Sequence, residues 1–316
     1  MSGNPVVYDC DPGPDDAVNI FLASSLPQFR NANVVTSFGC GSVTDSSQNA
    51  VGFLDALKYP DIPVIHGASE PMQRHPLRGE DLPRFFGSNG FNDISLSGAA
   101  VPEGDPTKRL HDLLRAGNVE YFLTGPCTNL AKLILQDPEY AKSQISRLYI
   151  MGGALRGTGN EGPKDSEGKQ WAEFNFYLDA NAANVVLSSG IPISLVTWDT
   201  AQKFAVPKST IDSLTPKSEA ASVLVDTMKA FFSIYKNDKH QEATAEPSFI
   251  LSDAITHMDS LQVGLTSREP VSVRVVEGGQ DVGRLVEDSE GGHTVDYVTL
   301  REPERAISYL VEQLER

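Results

Sequence analysis

The chain has 316 residues, with 42 acidic against 26 basic side chains and a formal charge of −16. At 40% apolar it carries enough material for a sizeable core, which excludes a disordered tail or a small stapled scaffold. The acidity argues against nucleic acid and anionic membrane surfaces as partners, since both attract clustered Lys and Arg. No stretch of 18 consecutive apolar residues is present, so no membrane span is expected. The opening segment MSGNPVVYDCDPG lacks the basic and apolar regions of a secretory signal. Three cysteines, Cys10, Cys40 and Cys127, cannot all pair within one chain, and a cytoplasmic setting is expected.

In chain order, Val6 to Asp9 reads as a strand and Asp15 to Ala23 as a helix. Val34 to Phe38 follows as a strand, Val51 to Leu57 as helical and Ile62 to His66 as a strand. Asp105-Pro106 has the form of an N-cap and first helical position ahead of Leu110, Leu113 and Leu114. Val119 to Thr124, Leu148 to Met151 and Ile193 to Trp198 read as buried strands, with helices at Asn129 to Leu135 and Ala180 to Ser188 between them. This alternation predicts an α/β fold: a mostly parallel central sheet with helices on both faces. The rhythm then changes. Lys217 to Tyr235 predicts a long helix, followed by the polar stretch KNDKHQEATAEP. Val271 to Val276, Val282 to Val286 and Thr294 to Leu300, separated by GGQD and EGGH, predict an antiparallel meander. With no repeat or convincing linker, residues 1–316 are expected to form a single α/β domain with C-terminal antiparallel strands and helices.

The strongest chemical signal is DCDPGPDD, residues 9–16, with four aspartates where a strand gives way to a helix. In open α/β sheets ligands bind outside the carboxyl ends of the strands. Two carboxylates ~5 Å apart repel by about 3 kcal/mol at an effective dielectric near 20. Several such pairs call for raised pKa values or a hard, oxygen-loving cation such as Ca²⁺ or Mg²⁺. The bland alternative is that Asp15 and Asp16 complement the helix dipole while Asp9 serves a turn. The same aspartates also resemble the nucleophile motif of haloacid-dehalogenase-type phosphatases, but Gly13 stands where that motif has a threonine.

Two further segments stand out. LTGPCTNLAKLI, residues 123–134, forms another strand-to-helix junction, with Thr128 or Asn129 as a cap and backbone carbonyls able to serve a hard cation. In AEFNFYLDANAA, residues 172–183, Glu173 and Asn175 alternate with Phe174 and Phe176. An extended chain there would turn both polar groups to one side, as a hydroxyl-rich ligand needs. The glycines of MGGALRGTGN, residues 151–160, do not fall as a dinucleotide fingerprint.

Taken in order, VVYDCDPGPDDAV, FLTGPCTNLA, YIMGGALRGTGN, AEFNFYLDANAANVV, SLVTWDTAQ and LSDAITHMD resemble the inosine-uridine-preferring nucleoside hydrolase family, which cleaves ribonucleosides to ribose and free base. The resemblance covers most of the chain and implies a nucleoside hydrolase-like fold. It implies a Ca²⁺ cofactor held by Asp11, Asp16, the Thr124 carbonyl and Asp253, with Asp11 taking a proton from water. Asp15, Asn160, Glu173, Asn175 and Asp253 match residues that bind the ribose. A neutral small-molecule ribonucleoside suits so acidic a chain, and family members commonly form dimers or tetramers. Six acidic side chains, Asp9, Asp11, Asp15, Asp16, Glu173 and Asp253, are thus expected to converge. The alternatives are a metal-dependent phosphohydrolase using the DxD aspartates, or a non-catalytic protein that binds a nucleoside or ribose.

The chain departs from the family pattern around the base. Ser252 replaces the histidine that precedes the last calcium aspartate, and Phe86 stands where a loop histidine is expected. Cys40, in SFGCGS, replaces the Asn or Asp after the second strand, as in one branch of the family, and becomes a candidate substrate contact. These changes leave the acid that protonates the leaving base unassigned, with His240 in the polar stretch as one candidate. Trp198 or Phe174 would offer a ring to a base. His293 reads as a turn residue.

Overall fold

A computed structural model of the protein describes residues 4–73, 86–235 and 246–316. The first strand, β1 (Val6–Cys10), alternates its side chains between two cores: Val6, Tyr8 and Cys10 face one, Val7 the other. It lies inside a nine-stranded sheet of order β10-β9-β11-β6-β5-β4-β1-β2-β3. The strands are β2 (Ala32–Thr36), β3 (Val64–Ile65), β4 (Val119–Leu123), β5 (Ile145–Met151), β6 (Ile193–Val196), β9 (Thr266–Val275), β10 (Leu285–Glu287) and β11 (His293–Leu300). From β3 through to β11 every neighbouring pair is parallel; β9 runs antiparallel to both β11 and β10. A separate antiparallel ribbon joins β7 (Ala205–Pro207) to β8 (Ser248–Ile250).

One core packs α1 (Pro14–Ser24) and α2 (Val43–Ala56) with the C-terminal helices against the sheet. The other packs α3 (Pro106–Leu114), α4 (Thr128–Gln136) and α5 (Pro138–Gln144) with the helices that follow β5. The mostly parallel, doubly covered sheet expected from the alternation is therefore present. Asp105 caps α3 through the Lys108 N–H at 3.1 Å, as its position before Pro106 indicates. Among the described residues no helix is long and apolar enough to cross a membrane. Cys10, Cys40 and Cys127 are all buried and free.

Four local expectations are corrected. The C-terminal strands are antiparallel but not a meander, because β9 lies between β10 and β11. β10 has three residues against eight register pairs between β9 and β11, and an interior place would leave backbone groups of its neighbours unpaired. Glu173 and Asn175 do not share an extended strand: Glu173 is the N-cap of α6 (Phe174–Leu178) and accepts the N–H groups of Asn175 and Phe176. Asp179 caps the next helix, α7 (Ala180–Leu187), in the same way. Neither Thr128 nor Asn129 caps α4. Thr128 donates its hydroxyl to Asp179 at 2.7 Å, and Asn129 spends its amide on Asp9 and the Thr36 carbonyl. Trp198 is not in a strand but opens α8 (Trp198–Ala201), after β6 ends at Val196. The remaining helices are α9 (Lys208–Ser213), α10 (Glu219–Tyr235), α11 (Ala254–Ser260) and α12 (Pro303–Leu314).

The chain builds β2 and β3 on one side of β1 and then returns to place β4 on the other. This reversal opens a crevice at the carboxyl ends of β1 and β4, where an open α/β sheet places its ligand. Asp11 follows β1 and Thr124 follows β4, so both stand at that crevice.

Candidate active site

Asp11 is held by a close backbone cradle. The Cys40 N–H donates to its Oδ2 at 2.6 Å. A Cβ on Gly39 would stand 2.0 Å from Asp11 Oδ2, and one on Gly125 would stand 2.8 Å from Oδ1. Only glycines allow both loops to approach this carboxylate. β2 stops at Thr36 rather than Phe38 because the chain turns here into that cradle, the Ser37 N–H reaching back to the Cys10 carbonyl at 3.0 Å.

Asp16 combines two duties. Its Oδ2 accepts the Gly13 N–H at 3.0 Å at the start of α1, while its Oδ1 accepts the Thr124 hydroxyl at 2.6 Å. Complementing the helix N-terminus thus accounts for one oxygen of Asp16 and not for the other. Asp15 accepts the Ser252 hydroxyl at 2.6 Å. Asp253 begins α11 without capping it, leaving its carboxylate to the cluster. The Thr124 carbonyl accepts the Asn175 amide at 2.9 Å, and Glu173 takes the N–H groups of Gly153 and Asn175 at 2.8 and 2.9 Å. Asn160 accepts the Phe174 N–H at 2.9 Å.

Asp11, Asp15, Asp16, Cys40, Thr124, Asn160, Glu173, Asn175 and Asp253 all line one cavity of about 330 Å³. Of the six acidic side chains expected to converge, five are brought there, together with Cys40, Thr124, Asn160 and Asn175. Asp9 is not: it lies within β1, fully buried, and accepts from the Tyr121 hydroxyl at 2.6 Å and the Asn129 amide at 2.8 Å. Asp9 lies inside the strand, in register with Val35, whereas Asp11 stands past its carboxyl end at the crevice. Phe86, Phe174 and Trp198 line the cavity; His293 opens β11 and does not line it, and His240 lies outside the described residues.

Sequence reasoning missed Asn92, Phe231, Phe249 and Ile250, which also line the cavity. Phe231 sits on α10, whose periodicity reads simply as core, and β8, carrying Phe249 and Ile250, was not recognised as a strand. Asn92 falls in no motif. Its side chain donates to the Thr227 carbonyl at 3.0 Å from a backbone with φ +53°.

The electrostatics are one-sided. Asp11, Asp16 and Asp253 are each at most 2% exposed. Burial, then the neighbouring Asp16 charge, pushes the Asp11 carboxyl well above its ordinary range. Burial, followed by Asp15, Asp16 and Asp11, does the same to Asp253. Glu173 is pushed up to about 7 by burial, against the pull of its backbone donors. No Lys or Arg is among the described residues lining the cavity. Ligand atoms of Asp11, Asp16 and Cys40 lie within 4.8 Å of one another, as do those of Asp15, Asp16 and Asp253. Asp16 joins the two groups into an acidic cluster with one sulfur, compatible with a metal ion. Burial and the surrounding carboxylates raise the Cys40 thiol well above its usual pKa, which keeps it protonated.

A family model for inosine-uridine preferring nucleoside hydrolase matches residues 6–311. The chain belongs to this family. Among its curated relatives, the pyrimidine-specific ribonucleoside hydrolase RihA of Salmonella schwarzengrund is 33% identical to this nucleoside hydrolase family member over 244 residues, 74% of this chain and 73% of the relative. Two solved structures share its fold, each with a TM-score of 0.83 and 98% of both chains covered. One is a plant nucleoside hydrolase at 22% identity, the other a purine-preferring ribonucleoside hydrolase from Gardnerella vaginalis at 20%.

Proposed function

We propose that this family member hydrolyses the N-glycosidic bond of a ribonucleoside, giving ribose and free base with the help of a divalent cation, Ca²⁺. The observation that carries the reading is the buried set Asp11, Asp16 and Asp253 beside the Thr124 carbonyl, in a cavity whose described lining offers no basic side chain. Three carboxylates in low dielectric need positive charge, and a set of hard oxygens suits Ca²⁺. Those four groups would hold the ion. When bound, it supplies charge compensation and Lewis acidity toward water. The Cys40 sulfur is too soft a donor for Ca²⁺ and remains a neutral wall of the site.

The chain's own residues do the rest. Asp11, fixed by the Cys40 N–H and its glycine cradle, takes a proton from the attacking water. Asp15, Asn160, Glu173, Asn175 and Asp253 bind the ribose hydroxyls, and the carboxylates stabilise positive charge developing on the sugar. As the glycosidic bond breaks, its electron pair leaves with the base nitrogen. Phe86, Phe174, Trp198 and Phe231 give the base an aromatic surface. The relatives' names include both pyrimidine and purine preferences, so neither is transferred to this chain. The phosphohydrolase alternative lacks cationic side chains for a phosphate among the described lining residues. We further propose that residues 1–316 act as one domain, in the cytoplasm, as a homodimer or homotetramer. Light scattering on the purified protein tests the assembly.

The functional test is a panel of ribonucleosides and nucleotides, with and without Ca²⁺, followed for free base, reducing sugar and phosphate. Base and sugar should appear together in the presence of Ca²⁺. Asp11→Ala should abolish turnover while keeping a cooperative thermal transition. Phosphate release without base, or a folded and active Asp11→Ala, overturns the reading.

A further inference from the structure

We propose that Ser252 is a positioning residue: it donates its hydroxyl proton to Asp15 and thereby commits the other carboxylate oxygen of Asp15 to a sugar hydroxyl. This rests on the ribonucleoside reading of the site. The bond, from Ser252 Oγ to Asp15 Oδ2, is 2.6 Å long and joins residues 237 apart in sequence. Ser252 is 5% exposed and lines the cavity beside Asp15.

Both flanks fix where that hydroxyl stands. The preceding Leu251 is fully buried, and its N–H donates to the Phe204 carbonyl at 3.1 Å. The following Asp253 has its carbonyl held by both the N–H and the hydroxyl of Thr256, at 2.9 and 2.6 Å. Little is left to Ser252 except rotation of its side chain. Asp15, by contrast, is the second residue of α1, where an aspartate ordinarily turns its carboxylate toward the unpaired N–H groups of the first turn. Asp15 keeps the bonds from its own N–H and that of Asp16, and the Ser252 donor on the cavity side determines which oxygen remains for the ligand.

A serine hydroxyl does not give up its proton to a departing base near neutral pH, so Ser252 is no substitute for an acid. It is an uncharged donor suited to orienting an anion. The residue that looks like a loss in the sequence therefore has a partner and a task in the fold.

The test separates positioning from a purely structural contact by varying the sugar. Ribonucleoside, 2′-deoxy and 3′-deoxy substrates are compared in the wild-type protein, Ser252→Ala and Ser252→Thr. Inhibition constants replace kcat/KM where a deoxy compound is not turned over. Asp15→Asn identifies which hydroxyl Asp15 holds. Ser252→Ala should lose about tenfold to a hundredfold in kcat/KM on the ribonucleoside, the worth of a hydrogen bond to a charged group. The loss should shrink to about threefold or less on the analogue lacking the Asp15-held hydroxyl, because the two removals share one interaction. Ser252→Thr, which keeps the hydroxyl, should recover most of the activity. Should Ser252→Ala not fold, Ser252→Cys, a weaker donor of similar size, takes its place. Equal losses on all three sugars, or none, overturn the proposal. Absence of ribonucleoside turnover by the wild-type protein overturns the functional reading instead; the positioning role is then judged from the same comparison made on binding constants.

Discussion

Gly125→Ala perturbs Asp11, the proposed general base, without touching its chemistry. The added Cβ would stand 2.8 Å from Asp11 Oδ1, 2.9 Å from the Asp11 backbone nitrogen and 3.0 Å from Ser37 Oγ. Ordinary contact begins near 3.4 Å, so the carboxylate must retreat by about 0.6 Å. Retreat is obstructed on the opposite side by Gly39, whose own absent Cβ marks a 2.0 Å approach to Oδ2. Overpacking of this kind costs roughly 1–3 kcal/mol. For 316 residues that corresponds to a fall of about 2–5 °C in melting temperature. Catalysis should suffer more, since a misplacement of about 1 Å costs on the order of 10²-fold. Gly125→Ala should therefore lose about tenfold to a hundredfold in kcat on a ribonucleoside. The assay pairs initial rates of base release with thermal melting. Gly278→Ala serves as control, because its Cβ would meet nothing within 4 Å. Unchanged kcat in a folded Gly125→Ala would refute the cradle.

Two further outcomes follow from buried charge. His257 is fully buried on α11, its Nε2 has no hydrogen-bond partner among the described residues, and burial lowers its pKa from 6.5 to about 4. A depressed pKa contributes stability above pH 6.5 that is lost as pH falls toward 4, by about 3.4 kcal/mol in all and roughly 2 kcal/mol at pH 5. Urea unfolding of wild type and His257→Leu across that window should show the gap between them shifting by that amount in favour of the variant; a pH-independent gap refutes it. For the cation, Ca²⁺ at a hundredfold excess over its dissociation constant should stabilise the fold by about 2.7 kcal/mol, or roughly 4 °C. Differential scanning calorimetry checks this, and the shift should vanish in Asp16→Ala; an equal shift in that variant would place the ion elsewhere.

Most of the sheet was legible because parallel strands buried on both faces are written as short apolar runs, such as VEYFL and ISLV. What failed were elements decided by side-chain capping or by distant pairing. Glu173 and Asn175 alternate with phenylalanines just as a strand would, and only the bonds from Glu173 to two free N–H groups reveal a helix start. β10 has too few residues to announce which neighbour it joins, so its edge position is set by the longer register of β9 with β11.

The candidate site was legible where the chain carries chemistry in tight spacing, and illegible where the cavity wall is merely apolar. Asp11, Asp15 and Asp16 declare themselves within six residues, whereas Phe231 and Phe249 look like core until the fold turns them toward the same space. Asp9 shows the converse error. Four aspartates in DCDPGPDD suggested one function, yet Asp9 lies inside β1, short of the crevice, where Tyr121 and Asn129 take both its oxygens. There, burial raises its carboxyl to about 7 and its hydrogen bonds oppose the rise. Asn129 also donates to the Thr36 carbonyl and accepts the Ala68 N–H at 2.8 Å. Through Asn129, Asp9 thus ties β1 to the end of β2 and to the segment after β3, while Asp11, past the end of the strand, lines the cavity. The acidic surplus of the opening motif divides between scaffold and cavity, and the end of β1 at Cys10 decides which carboxylate belongs to which: Asp9 lies within the sheet, and Asp11, Asp15 and Asp16 lie beyond it.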